Sequence, residues 1–174
     1  ALVGHENYRY RLQYNYGMKT NEIVSGTYEY SNFVSISSMD SYTREYKKEG
    51  YFARLNYDFD DKYYVTASYR RDGSSRFSKD NRWGNFWSFG ASWRISQEDF
   101  MENLTWVDNL KLRASYGETG KDAIYYTDDD TQQDYYPYQT LYNLGINNGL
   151  EAGLYFPTMA NNNLKWETQV STDV

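Results

Sequence analysis

The sequence predicts an all-β protein: a segment of a transmembrane antiparallel β-barrel, about six strands of it, with long extracellular loops. Three observations predict this. Apolar or aromatic side chains recur at every second position in several runs of about 9 to 11 residues. Aromatic residues make up 20% of the chain, with 21 Tyr, 5 Trp and 8 Phe. The connections between the runs alternate between short and long, as they do in outer-membrane barrels.

Near the start, Tyr8, Tyr10, Leu12, Tyr14, Tyr16 and Met18 alternate with Arg9, Arg11, Gln13, Asn15 and Gly17. Over residues 51–59, Tyr51, Ala53, Leu55, Tyr57 and Phe59 form one face and Arg54, Asn56 and Asp58 the other, with only Phe52 breaking the rule. Asp60, Asp61 and Lys62 supply a tight polar turn. Tyr63, Val65, Ala67 and Tyr69 then oppose Thr66, Ser68 and Arg70, completing a hairpin. A further run sets Trp87, Phe89, Ala91, Trp93 and Ile95 against Ser88, Gly90, Ser92 and Arg94. The next sets Leu110, Leu112, Ala114 and Tyr116 against Lys111, Arg113, Ser115 and Gly117, and residues 164–174 begin another. Aromatic rings cluster toward strand ends with small alanines between them, an arrangement like interfacial girdles.

The turn at 60–62 and the moderate link at 96–109 fall on one side of this sheet. The long connections at 19–50, 72–84 and 118–163 fall on the other, which is the extracellular side of an outer-membrane barrel. A soluble sandwich also alternates apolar with polar faces. Structureless connections of such length count against a compact soluble domain.

A mean hydropathy of -0.91 and a net charge of -6 describe a soluble acidic protein at first sight. Alternating strands average out as polar, however, and no run approaches the roughly 18 to 20 apolar residues of a membrane helix. The cations are interspersed with acids rather than gathered into a stripe, which excludes a nucleic-acid partner. The absence of cysteine decides little between compartments. With neither an initiator Met nor an export signal at Ala1, and an end at Val174 inside a strand pattern, residues 1–174 are expected to be an internal piece of a barrel domain.

Residues with chemical potential have duller readings. His5, the only histidine, cannot complete a His/Cys zinc site and is read as structural. Asp128, Asp129 and Asp130, with Asp134, lack the spacing of a calcium loop and are read as solvated charge. Glu98 and Asp99 are read as the first turn of a short periplasmic helix capped by Ser96, not as a hydrolytic pair. No enzyme activity, metal or cofactor is expected. Asp72-Gly73 signals a turn, and Arg70, Arg71, Arg76 and Arg82 give that hairpin a cationic tip, read as pairing with loop acids or lipopolysaccharide phosphates; Arg76 and Arg82 are also candidate ligand contacts. Tyr125, Tyr126, Tyr135, Tyr136, Tyr138, Tyr142, Tyr155 and Phe156 either stack on a ligand or partner or form a core for their own loop. Both readings stay open, with Tyr135, Tyr136, Tyr138 and Tyr142 the candidates for contact.

The stretch Tyr51-Phe-Ala-Arg-Leu-Asn-Tyr-Asp-Phe-Asp-Asp-Lys-Tyr-Tyr-Val-Thr-Ala-Ser-Tyr-Arg-Arg-Asp-Gly-Ser-Ser-Arg-Phe77 resembles a barrel segment of SusC/RagA-like TonB-dependent transporters. The resemblance continues through Asn81-Arg-Trp-Gly84, Ser92-Trp-Arg-Ile-Ser96, Glu98-Asp-Phe-Met101, Leu110-Lys-Leu-Arg-Ala-Ser-Tyr-Gly117, Thr119-Gly120 and Asn163-Leu-Lys-Trp-Glu-Thr168, with Gly4-His5-Glu6 upstream. Residues 121–162 fall outside it.

The resemblance implies a barrel of roughly 22 strands around a plug domain not present in these residues. Arg54, Asn56, Asp58, Thr66, Ser68, Arg70, Ser92, Arg94, Lys111 and Arg113 would then face the lumen or plug. It further implies a multi-pass protein in outer-membrane lipid that actively imports an oligosaccharide or peptide substrate, capped by a SusD-like surface lipoprotein and energised by TonB. A passive or structural surface barrel is the alternative, and a soluble carbohydrate-binding β-domain is a further one.

Overall fold

The computed structural model describes residues 1–126, 129–141, 143–148, 151–155 and 159–174. Among the described residues ten strands follow in order: β1 (Leu2–Glu22), β2 (Phe33–Phe59), β3 (Tyr63–Ser74), β4 (Trp83–Arg94), β5 (Lys111–Lys121), β6 (Tyr125–Tyr126), β7 (Asp129–Gln133), β8 (Asn143–Asn148), β9 (Glu151–Tyr155) and β10 (Glu167–Asp173). Six of them form one sheet in the order β1-β2-β3-β4-β5-β10, while β6-β7 and β8-β9 are separate two-stranded ribbons. The chain divides into two units, one of residues 1–8 with 47–174 and one of residues 9–46.

Register in the first unit shows why period two organises everything. Arg54 lies opposite Ser68, Ser68 opposite Ser88, Ser88 opposite Gly117 and Gly117 opposite Ser171. One residue along, Leu55, Ala67, Phe89, Tyr116 and Thr172 form the corresponding row. Residues directly opposite in an antiparallel ladder share a face, so polar and apolar rows alternate across five strands. The β2–β3 connection is tight because Asp60 (φ 56°) and Asp61 (φ 50°) are both left-handed, matching the twist of the flanking strands. The Lys62 N–H then donates to the Phe59 carbonyl at 3.1 Å.

All six expected strands are present, but two of the three expected long connections are shorter and the third is displaced. β1 runs on to Glu22 and β2 starts at Phe33, so only residues 23–32 link them. The added strand is rich in Ser and charged residues and much of it is exposed, so its apolar alternation does not run on past Val34 and Ile36 to mark it in sequence. Likewise, residues 75–82 alone join β3 to β4, and the connection after β5 begins past Lys121 and itself contains β6 to β9.

The expected helix at Glu98 is absent. Two single 3-10 turns, Ile95–Gln97 and Asp99–Met101, stand there, and no side chain caps either. Ser96 lies inside the first turn with its N–H bonded to the Leu110 carbonyl at 3.1 Å. The Glu98 carboxylate is occupied by Tyr63 and Trp93.

Among the described residues only Phe77 and Phe86 are buried hydrophobics. The apolar face of the sheet is instead open, with Leu55 53%, Tyr57 57%, Phe89 53% and Leu112 53% exposed. A soluble sandwich buries that face against a second sheet, whereas among the described residues no second layer covers it.

Left-handed backbone at Asp61 gives a direct test of the turn. In the full-length protein, Asp61→Val should destabilise the sheet by about 1–3 kcal/mol, because a β-branched side chain is strained there, whereas Asp61→Gly should be neutral or stabilising. Urea midpoints of the folded band on unheated gels will show the order, and equal midpoints for the two variants would contradict it.

Candidate functional site

The ten residues expected on the hydrated face share one face of the sheet. Arg54 pairs in register with Ser68, Asn56 with Thr66 and Asp58 with Tyr64, and then Ser92 lies opposite Arg113 and Arg94 opposite Lys111. They bond among themselves and to their neighbours. Arg54 Nε donates to Asn56 Oδ1 at 3.2 Å, the Ser68 and Ser88 hydroxyls are 2.6 Å apart, and the Lys111 ammonium lies 4.4 Å from the centre of the Tyr64 ring. Arg70 Nε donates to both Asp72 oxygens at 2.8 and 2.7 Å and its NH2 to Glu6 at 2.9 Å. Phe52, Tyr64 and Phe86 also belong to this face by register, so it is polar but not purely so.

The opposite face carries a bounded apolar band. At one edge Phe59, Tyr63 and Trp93 sit side by side, Tyr63 and Trp93 stacked at 6.4 Å. At the other edge Tyr69 and Trp87 meet at 4.2 Å, with Tyr51 and Trp83 beyond them at 6.1 Å. Leu55, Val65, Ala67, Phe89, Ala91, Ala114 and Leu112 fill the interval. From residue 51 to residue 59, strand rise covers about 27 Å. At a tilt of about 40° that is roughly 21 Å of height, near the band of about 25 Å that lipid requires.

Toward the loops this face turns polar. Arg71 lies opposite Asn85 and stacks on Trp83 at 5.2 Å, and Tyr116 donates to Glu118 at 2.7 Å. His5, in β1, bonds Glu49 at 3.2 Å and packs on Tyr51 at 4.7 Å, a structural place of the kind its isolation in the sequence implies.

At the short-turn end, one carboxylate ties two connections together. Glu98 Oε1 accepts the Tyr63 hydroxyl at 2.6 Å and the Trp93 indole N–H at 2.8 Å, and its other oxygen lies 3.6 Å from the Lys62 ammonium. The Tyr63 hydrogen bond foremost, then that of Trp93, holds the Glu98 carboxyl below its ordinary value. Partial burial pulls the Lys62 ammonium down, but Glu98, Asp99 and Asp60 outweigh it and the net direction is up.

At the loop end Arg76 approaches a loop acid, Asp122, as the pairing reading expects, but it does so in a buried place, at 4% exposure. NH1 donates to the Asp122 carbonyl at 3.1 Å and lies 3.8 Å from its carboxylate, NH2 donates to Gln133 Oε1, and the guanidinium lies 5.4 Å from the Tyr135 ring centre. A guanidinium fork reaches several acceptors at once, which is why burial here is tolerable.

Beside it Phe77 and Phe86 each pack on Trp166 at 5.5 Å, and the Trp166 N–H donates to the Arg82 carbonyl at 2.9 Å. Gly84 and Gly120 leave the room this needs: a Cβ on either would collide with the Phe86 ring. Arg82 is half-buried, as are Tyr135, Tyr136 and Tyr138, whereas Tyr142, Asp128 and Phe156 lie outside the described residues. The expected cationic tip is thus dispersed: Arg70 onto acids, Arg71 onto an indole and Arg76 into the interior. Asp122, Gln133 and Trp166 are members of this cluster that pattern reading missed; only Trp166 stood within a recognisable motif.

The second unit, described by itself, has its own aromatic pairing. Tyr14 stacks on Tyr42 at 4.8 Å with Arg44 over Tyr42 at 4.7 Å, while Arg9 and Arg11 approach Glu45 at 3.4 and 3.6 Å. Asn32 closes its tip, accepting the Val24 N–H and donating to the Val24 and Thr27 carbonyls.

Comparison with known proteins agrees with this geometry. The family described as TonB dependent receptor-like, beta-barrel, matches residues 2–174. A TonB-dependent receptor of Formosa agariphila is 41% identical over 129 residues, covering 71% of this chain and 12% of that protein. The TonB-dependent receptor SusC of Bacteroides thetaiotaomicron is 40% identical over 125 residues, covering 67% of this chain and 12% of SusC. Among solved structures, the RagAB peptide transporter superposes with a TM-score of 0.82 at 29% identity, over 97% of this chain and 18% of that one. The chain therefore spans 12% of the length of these curated relatives.

The Glu98 cluster predicts an acid-sensitive contribution. A carboxyl held low in the folded state stabilises above its unfolded value and loses that effect as pH falls through the folded one. The gap in thermal midpoint between the full-length protein and its Glu98→Gln variant should thus be full above the ordinary value of 4.5 and shrink at more acid pH. A gap constant with pH would contradict the assignment.

Proposed function

Because this chain belongs to the TonB-dependent receptor-like β-barrel family, of SusC/RagA-like type and hence of the outer membrane, we propose that it forms part of the wall of an active importer of large nutrients. The cargo class is oligosaccharide or peptide. A SusD-like surface lipoprotein caps the extracellular mouth, and TonB supplies energy through parts of the protein outside these residues. The observation that carries the reading is the sheet with two exposed faces. One is an apolar band edged by aromatic rings, and the other is a mainly polar face of Arg, Lys, Ser, Thr, Asn and Asp interrupted by Phe52, Tyr64 and Phe86.

In this reading the apolar band meets lipid, and Arg54, Asn56, Asp58, Thr66, Ser68, Arg70, Ser92, Arg94, Lys111 and Arg113 line the lumen or meet a plug. The physical support is solvation. Leu and Phe side chains gain roughly 1.5–3 kcal/mol each on leaving water, and exposed guanidiniums and ammoniums need water or partners. Sheet edges in hydrocarbon would leave backbone groups unpaired at a cost of several kcal/mol each, so β1 and β10 pair with further strands of a closed barrel. The proposed role is solute passage rather than chemistry, and no residue is assigned to catalysis.

Facing is tested by charge. In the full-length protein Ala67→Arg should destabilise the assembled barrel by about 2–4 kcal/mol, whereas Ser68→Arg, one residue along, should cost far less. Equal heat stability of the two on unheated gels would contradict the assignment.

Energy coupling separates this reading from a passive or anchoring barrel. Removing TonB from the host should abolish uptake of the cognate oligosaccharide or peptide while leaving the barrel in the outer membrane. Undiminished uptake would favour the passive barrel.

A further inference from the structure

We propose that Arg76 is a positioning residue that fastens Asp122 and Gln133, near the two ends of the outgoing limb of the loop, to the wall, so that these two points stand fixed at the loop end of the sheet. Arg76 lies on the connection between β3 and β4 and is 4% exposed. Its NH1 donates to the backbone carbonyl of Asp122, where the loop leaves β5, and its NH2 donates to Gln133, where β7 ends. One guanidinium thus clamps both ends of the segment that holds β6 and β7. Tyr135 covers it, with its ring centre 5.4 Å away.

Asp122, 8% exposed, has its carboxylate 3.8 Å from Arg76 and 3.7 Å from Lys48 of β2. Truncating Arg76 would remove a counter-charge from it and take a donor from a buried carbonyl. Lysine cannot substitute, because a single ammonium cannot span both acceptors as a planar fork does.

The returning limb is held differently. Ser78 Oγ and Asn81 Nδ2 donate to the Asn162 carbonyl at 3.0 and 2.8 Å, and Trp166 packs between Phe77 and Phe86 while donating to Arg82. Lys48, which pairs with Asp122, also lies 5.3 Å from the Trp166 ring centre, so the two limbs share that cation. The fork bonds of Arg76 to Asp122 and Gln133 are what is particular to the outgoing limb.

The proposal rests on the importer reading only in placing this surface at the extracellular mouth. Its test is amide hydrogen exchange of the full-length protein in detergent, which is blind to transport, so failure here and failure of that reading are distinguishable. In Arg76→Ala and Arg76→Lys, exchange over residues 122–135 should rise about tenfold, the scale of one lost buried hydrogen-bonded contact, with residues 161–166 and the β3–β4 ladder unchanged. Trypsin should cut after Lys121 faster by a similar factor.

Gln133→Ala should raise exchange over the same segment. Added to Arg76→Ala it should bring little further increase, since both remove one interaction. Unchanged exchange over 122–135 in the two Arg76 variants would overturn the proposal. So would a rise spread equally over both limbs and the ladder, which would make Arg76 a general stability residue, or full rescue by lysine.

Discussion

Every feature of this chain depends on the antiparallel ladder that joins its six long strands. In a hydrocarbon setting no water is available to backbone N–H and C=O groups, so each must be paired within the protein, and a continuous ladder is one of the two ways to do so. Once the ladder exists, period two follows from the geometry of the pleat, and each row across the sheet presents side chains to one side only. The row that begins at Arg54 and ends at Ser171 and the row that begins at Leu55 and ends at Thr172 differ by one residue and by the solvent they suit.

A wall built in this way needs no core of its own, and the burial pattern reflects it. The apolar side chains of the sheet are exposed, while burial is concentrated where the strands give way to loops: Phe77, Phe86, Ser74, Arg76, Asp72 and Asp122. The two ends solve different problems. At the short-turn end Glu98 gathers Tyr63, Trp93 and Lys62 and so binds neighbouring connections with a few partly covered polar contacts. At the loop end a much longer excursion has to be ordered, and an exposed ion pair is too weak to do that against solvent and chain entropy. An aromatic cluster around Trp166 and a buried guanidinium take that role.

On the polar face hydroxyls, amides and cations satisfy one another, as Ser68 with Ser88 and Arg54 with Asn56 do. Binding residues in proteins generally concentrate in loops positioned by a rigid scaffold. Loop residues held at fixed positions can present binding groups without a large ordering cost on binding.

The strands, their two faces and the tight turn at Asp60 and Asp61 were legible in the sequence, because alternation is a local property carried by consecutive residues. The extensions of β1 and β2 were not, since strands built largely of Ser and charged residues and exposed on both sides sustain no apolar alternation. Nor was the supposed helix at Glu98, whose capping pattern was overridden by Tyr63 from another strand, 35 residues away in the chain. Tertiary structure alone decided the place of Arg76, which as a residue in a polar turn reads as an exposed cation. Its partners Asp122 and Gln133 are 46 and 57 residues distant. Burial of a charge is set by what folds over it, and that information lies in pairings between segments rather than in any one of them.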